Sequence, residues 1–150
     1  MQYAACGGIW VMTMFAPPNK ADMLLAGPSL QKMMKVMPDG FSTLTWVLPE
    51  AGYRMDSDAR EAASDVTKVF DASIRGQATL IEGSGFQAAA VRAIISGVDL
   101  MTRSTSPKRV FPELSPAVGW CLSLVRQSPM PPAAEVTLAL EDACRRLRAT

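Results

Sequence analysis

FSTLTWVL, residues 41–48, is dense in β-branched and aromatic side chains and stops at Pro49. Such a run forms a strand, because branched side chains suit a pleated sheet and proline cannot extend its ladder. From Asp58 to Ile74 (DAREAASDVTKVFDASI) the period changes. Ala59, Ala62, Ala63, Val66, Val69, Phe70 and Ser73 share one face, while Arg60, Glu61, Asp65, Lys68 and Asp71 lie mostly elsewhere. That spacing is an amphipathic helix, and Asp58 with Glu61 matches a capping box at its start. QATLIE, residues 77–82, returns to strand character. Strand, helix, strand in succession implies parallel pairing, since a crossover helix carries the chain back to the end of the sheet where it began.

The same alternation extends both ways. IWVMTMF, residues 9–15, lies between Gly7-Gly8 and Pro17-Pro18 and reads as a strand buried on both faces. Gly7-Gly8 can close a hairpin with a short strand near residues 2–5. Asn19 to Gly27 reads as an irregular connection or a single turn. Ser29 to Met37 places Leu30, Met33, Met34 and Met37 at helical spacing before Pro38-Asp39-Gly40. Downstream, Phe86 to Met101 carries an apolar face of Phe86, Ala90, Ala93, Ile94, Gly97 and Met101, KRVF at 108–111 is a short strand, and Ser115-Pro116 has the form of an N-cap followed by a first-turn proline. The helix it opens would bury Ala117, Val118, Cys121, Leu124 and Val125. Residues 128–132 (SPMPP) form a stiff linker, and residues 133–150 hold a last helix with Val136, Leu140, Ala143 and Leu147 along one seam. That helix is too short to stand alone, so it must dock on residues 1–127 or on a partner. The predicted class is therefore α/β: a small mixed, mostly parallel sheet of four or five strands with helices packed against it, plus an extra C-terminal helix.

Composition narrows the chemistry. The chain has 150 residues, 49% hydrophobic and 19% charged, enough to bury a core in one domain. Fifteen Lys and Arg against fourteen Asp and Glu leave no basic excess for a nucleic-acid binder. No histidine occurs, which removes every His-based triad, dyad and metal site. Cys6, Cys121 and Cys144 are odd in number and widely spaced, so they read as reduced thiols with neither a disulfide framework nor a Cys-x-x-Cys site. Tyr3-Ala4-Ala5-Cys6 has a faint look of a lipoprotein box, but the basic start and longer apolar stretch of a signal peptide are missing. Glycines and prolines interrupt the longest uncharged segment, so no membrane span is expected. The expected location is the cytoplasm.

QATLIE, then AAVRAIISGVDL and PKRVFPELSPAVGW, resemble the second half of STAS domains, the anti-sigma-factor-antagonist (SpoIIAA-like) fold. Gly97-Val98-Asp99-Leu100 stands at the helix end, Arg109-Val110-Phe111 in the strand and Ser115 at the final helix start. The resemblance spans roughly residues 2–126, and some proteins of this look are related to lipid-binding Sec14 modules. It implies a non-enzymatic regulatory or scaffold module acting by protein–protein contact, without cofactor or metal. The alternative it leaves is a Sec14-like carrier holding a lipid or other small ligand between the Met-rich helix and the sheet. It further implies a phospho-switch at Ser57, in the pair Asp56-Ser57, although Asp58 and Ala59 stand where the family carries a small residue and glycine. The plainer reading of Ser57 is a cap or turn serine.

The remaining motifs have double readings. Gly83-Ser84-Gly85 is an anion-binding turn or simply a tight turn with a serine cap; it lacks the lysine of a P-loop. Met33, Met34 and Met37 line an adaptable groove or belong to the core. Val136, Leu140, Ala143 and Leu147 contact another protein, a second copy of the chain or the domain itself.

Overall fold

The computed structural model describes residues 1–51, 55–82, 89, 104–126 and 129–148, and the side chains of Glu50 and Leu147 fall outside that description. Two neighbouring glycines start the fold. Gly7 and Gly8 sit at φ +57° and +83°, where other residues are strained, and form the tight turn between β1 (Gln2–Cys6) and β2 (Ile9–Met14). β3 (Phe41–Val47) runs parallel to β2, β4 (Ile74–Ile81) parallel to β3, and β5 (Lys108–Phe111) parallel to β4. The result is a five-stranded sheet in the order β1-β2-β3-β4-β5, antiparallel only at its first pair.

Helices cover both faces. α1 (Lys20–Val36) and α2 (Ser57–Phe70) lie together on one face. There Leu30, Met33, Met37 and Phe70 join Trp10, Phe41 and Ile74, while Met23 meets Ala59 and Ala62. α3 (Leu114–Leu124) and α4 (Ala133–Arg148) lie on the other. Their Leu114, Ala117, Val118, Cys121, Leu122, Val136, Leu140 and Cys144 close over Ile9, Val11, Leu44, Trp46, Ala78 and Leu80. Successive strand residues point to opposite faces, so Trp10 and Ile9, one position apart, belong to different cores. α3 approaches β4 closely. A side-chain carbon at Gly76 would overlap Leu124 Cδ1 and press on the Trp120 ring at 3.1 Å. Ser42 Oγ, fully buried, donates to the Cys121 carbonyl at 2.9 Å and ties α3 to β3.

Several boundaries differ from the sequence reading. The segment after Pro17-Pro18 is helix from Lys20, because Asn19 and Asp22 form a reciprocal capping box, Asn19 Oδ1 accepting from the Asp22 N–H at 3.0 Å. Pro28 lies inside that helix. An interior proline costs about 3 kcal/mol, but buried Met23, Leu30 and Met33 contribute on the order of 1.5–3 kcal/mol each. Packing wins over propensity. In α2 the cap is Asp56, whose Oδ1 accepts from Ala59 N at 2.7 Å, so Asp58 and Glu61 do not form the box their spacing suggests. A short 3₁₀ turn, Asp71–Ser73, ends α2 and lets β4 begin at Ile74, three residues earlier than its apolar run. α3 begins at Leu114 with Glu113 at the cap position, so Ser115 is already helical. The helix read at residues 86–101, with Gly97-Val98-Asp99-Leu100, lies outside the described residues apart from helical Ala89.

α4 docks on its own domain. Val136 and Leu140 are buried in the α3 core, and Cys144 replaces Ala143 as the third inward residue, so the inward spacing is four and four. At its start, a side-chain carbon on Gly7 would meet Pro131 Cγ at 2.8 Å and Val136 Cγ2 at 2.9 Å, which places the β1–β2 turn against the head of α4. Val136→Ala is expected to lower unfolding free energy by about 2 kcal/mol in urea denaturation. Leu138→Ala, on the same helix but 64% exposed, is expected to change it by less than about 0.5 kcal/mol.

Candidate functional site

The register across β1, β2 and β3 sets Gln2, Thr13 and Trp46 in one row and Ala4 and Val11 in the row behind it, all on the α4 side. α4 crosses above with Leu140, Ala143, Cys144 and Arg146. Together these residues enclose a cavity of about 370 Å³, within the usual range of small-molecule sites. Trp46 is 4% exposed, and its indole N–H has no hydrogen-bond partner among the described residues. Arg146, 78% exposed at the side chain, donates from Nε to Asp142 Oδ2 at 2.9 Å. That hydrogen bond, strengthened by the Arg146 charge and less so by Arg145, holds the Asp142 carboxyl below its ordinary range.

The opposite face is filled. Between α1, α2 and the sheet the cavity measures about 80 Å³, with Trp10, Met12, Met23, Leu30 and Val66 among its walls. Met33 and Met37 are core residues and Met34 is partly exposed, so the three methionines do not line a common groove. Trp10 Nε1 donates to Ser29 Oγ at 2.9 Å, and Tyr3 stacks on Trp10 with ring centres 5.3 Å apart. The Tyr3 hydroxyl donates to the Asp22 carbonyl, and burial, aided by the Asp22 charge, pushes the phenol up to about 12.

The residues singled out from sequence do not come together. Ser57 is exposed at the first residue of α2, its Oγ 3.4 Å from Asp58 Oδ1, while Asp56 rather than Ser57 supplies the cap. Gly83, Ser84 and Gly85 lie outside the described residues. Val136 and Leu140 face the domain's own core, Ala143 is half-buried, and the Leu147 side chain is outside the description. All three cysteines are free thiols. Burial pushes Cys121 up to about 12 and raises Cys6 as well, which disfavours the thiolate at both. Among the described residues no three His, Cys, Asp or Glu side chains gather in metal-binding geometry, and no helix is long and apolar enough to cross a membrane.

One polar cluster has no counterpart in the sequence reading. Asp71, at the end of α2, accepts from Ser104 Oγ at 2.8 Å and from Thr105 Oγ1 at 2.6 Å. Gln77 on β4 donates to Ser104 Oγ and Ser106 Oγ, both at 2.8 Å. The clasp fastens the segment entering β5 to the start of β4. Its only mark in the sequence is the run Ser104-Thr105-Ser106, which does not point to a carboxylate 33 residues away. The hydroxyls of Thr105 and Ser104 hold the Asp71 carboxyl below its ordinary range. No protein-family model, curated protein or solved structure matches the chain.

Asp71→Ala is expected to cost about 1 kcal/mol of stability at pH 7, a value reduced by the site's partial exposure. Because the folded carboxyl titrates lower than the unfolded one, this contribution is complete above about pH 4. It fades as pH falls through the folded value. The difference between wild type and variant in denaturant melts should therefore shrink on acidification.

Proposed function

We propose that the chain is a non-enzymatic recognition module of STAS-like kind, regulatory or scaffolding, that works by contact with another protein. The observation that carries this reading is the outward face of α1. Leu25, Lys32 and Val36 fall seven and four residues apart in one row, with Leu24, Pro28 and Lys35 in the row beside it. Leu25 is 63% exposed and Val36 75%, although the helix has a fully furnished inner face of Met23, Ala26, Leu30 and Met33. Val69 on α2 is equally exposed, whereas α3 has no large apolar side chain so exposed. Exposed apolar side chains gathered on one helix, next to lysines, suit a partner surface that is apolar with an acidic border. Ser57, accessible at the head of the neighbouring α2, is the position where a phosphoryl group would alter this layer, close to the helix N-terminus but between two aspartates. The sequential order of hairpin, helices and parallel strands agrees with the STAS resemblance, and that supports the reading at the level of fold.

The test is affinity purification from the native cell with wild-type chain and with the double variant Leu25→Glu, Val36→Glu. Both positions are exposed, so the thermal midpoint is expected to stay within a few degrees. Wild type should recover a stoichiometric protein that the variant loses. Sedimentation of the purified chain separates a different protein from a second copy. A partner recovered equally by both forms would refute the assignment to α1.

A further inference from the structure

We propose that the cavity beneath α4 is a binding site for a compact apolar carboxylate, with its acid group at the Arg146 end and its hydrocarbon against Val11, Ala4 and Leu140. The site is independent of the α1 surface and lies on the other face of the sheet. Its polarity follows from the direction of α4. The head of α4 rests on the β1–β2 turn, through Val136 and Gly7. Its tail lies beyond the end of β4, where Arg148 Nη2 is 3.9 Å from Glu82 Oε2. The last turn, with Arg145, Arg146 and Arg148, is thus at the carboxyl ends of the parallel strands, the end at which α/β sheets generally bind ligands.

The strand register puts the polar members of the wall at that same end. Gln2, Thr13 and Trp46 form the row nearest it, while Ala4 and Val11 lie one step deeper. The wall has one charged side chain, and it is the cation Arg146. The α4 C-terminus also brings the negative end of its dipole, which the arginines of the last turn oppose. The buried Trp46 N–H without an acceptor is a standing penalty of roughly 1–3 kcal/mol. A ligand oxygen reaching this wall removes that penalty, and an apolar body fits the remainder. A hydrocarbon would leave the N–H unsatisfied, and a cation would face Arg146. An anion with an apolar body answers both.

The probe is decanoate, with 1-decanol as the uncharged counterpart, titrated into the ¹⁵N-labelled full chain while the indole N–H resonances are followed. Trp46→Phe identifies the Trp46 signal by its loss. Decanoate should move the Trp46 resonance saturably below about 1 mM, while Trp10, bonded to Ser29 on the far face, stays in place. Leu140→Trp, which fills the cavity, should abolish the shift. Should that variant unfold, Ala143→Met at the half-buried edge of α4 fills the same space with less intrusion. Arg146→Gln should weaken decanoate about three- to tenfold and leave decanol nearly unchanged. A Trp46 resonance unmoved by decanoate, a shift that survives filling the cavity, or decanol bound as tightly as decanoate would each overturn the proposal.

Discussion

A parallel sheet must be covered on both faces, and this requirement organises the molecule. β3 is flanked by β2 and β4 and has Leu44 and Trp46 on one side and Phe41 and Val47 on the other, all buried. α1 and α2 cover only one side. The other side must be supplied by whatever follows β5, and α3 alone reaches chiefly β3 and β4. α4 therefore completes the layer over β1 and β2 through Val136, Leu140 and Cys144. What looks like an appendage after a proline-rich joint is the last piece of the core.

The two halves of that covering layer are not equivalent, and the difference creates the cavity. α3 sits directly on the sheet because Gly76 removes the side chain that would hold it away. α4 meets the hairpin turn closely at Gly7, but its later turns pass above the row of Gln2, Thr13 and Trp46. Close-packed interiors leave few voids larger than a water molecule. A space of about 370 Å³ with an unpaired indole N–H in its wall is therefore the place where this domain departs most from pure packing. On the α1 side the contrast is complete: the core is closed, and the unsatisfied feature is apolar surface turned outward at Leu25 and Val36.

Sequence reading was most accurate where one physical signal dominated. FSTLTWVL became β3 to within a residue, KRVF became β5, and residues 133–148 became α4. It failed where two signals competed. Pro17-Pro18 and Pro28 masked a helix start that Asn19 and Asp22 encode, and Asp56 and Asp58 offered two caps of which the chain uses one. On α4, Ala143 and Cys144 are adjacent and both small, so spacing could not decide which turns inward. Of the candidate site, Leu140 and Ala143 were named for the right helix but as contacts for a partner, whereas they wall a cavity within the domain. Ser57 was placed correctly as accessible, at a helix start.

By itself the sequence determined the class of fold, the two-sided burial of its strands and the absence of histidine chemistry, because alternation, apolar period and residue inventory are local properties of the chain. Only the tertiary structure decided which face each helix covers, that Asp71 reaches Ser104 and Thr105, and that Trp46, Thr13, Gln2 and Arg146 surround one space. Those facts depend on strand register and on the direction of α4. Both are settled by contacts between residues more than a hundred positions apart, which no local pattern records.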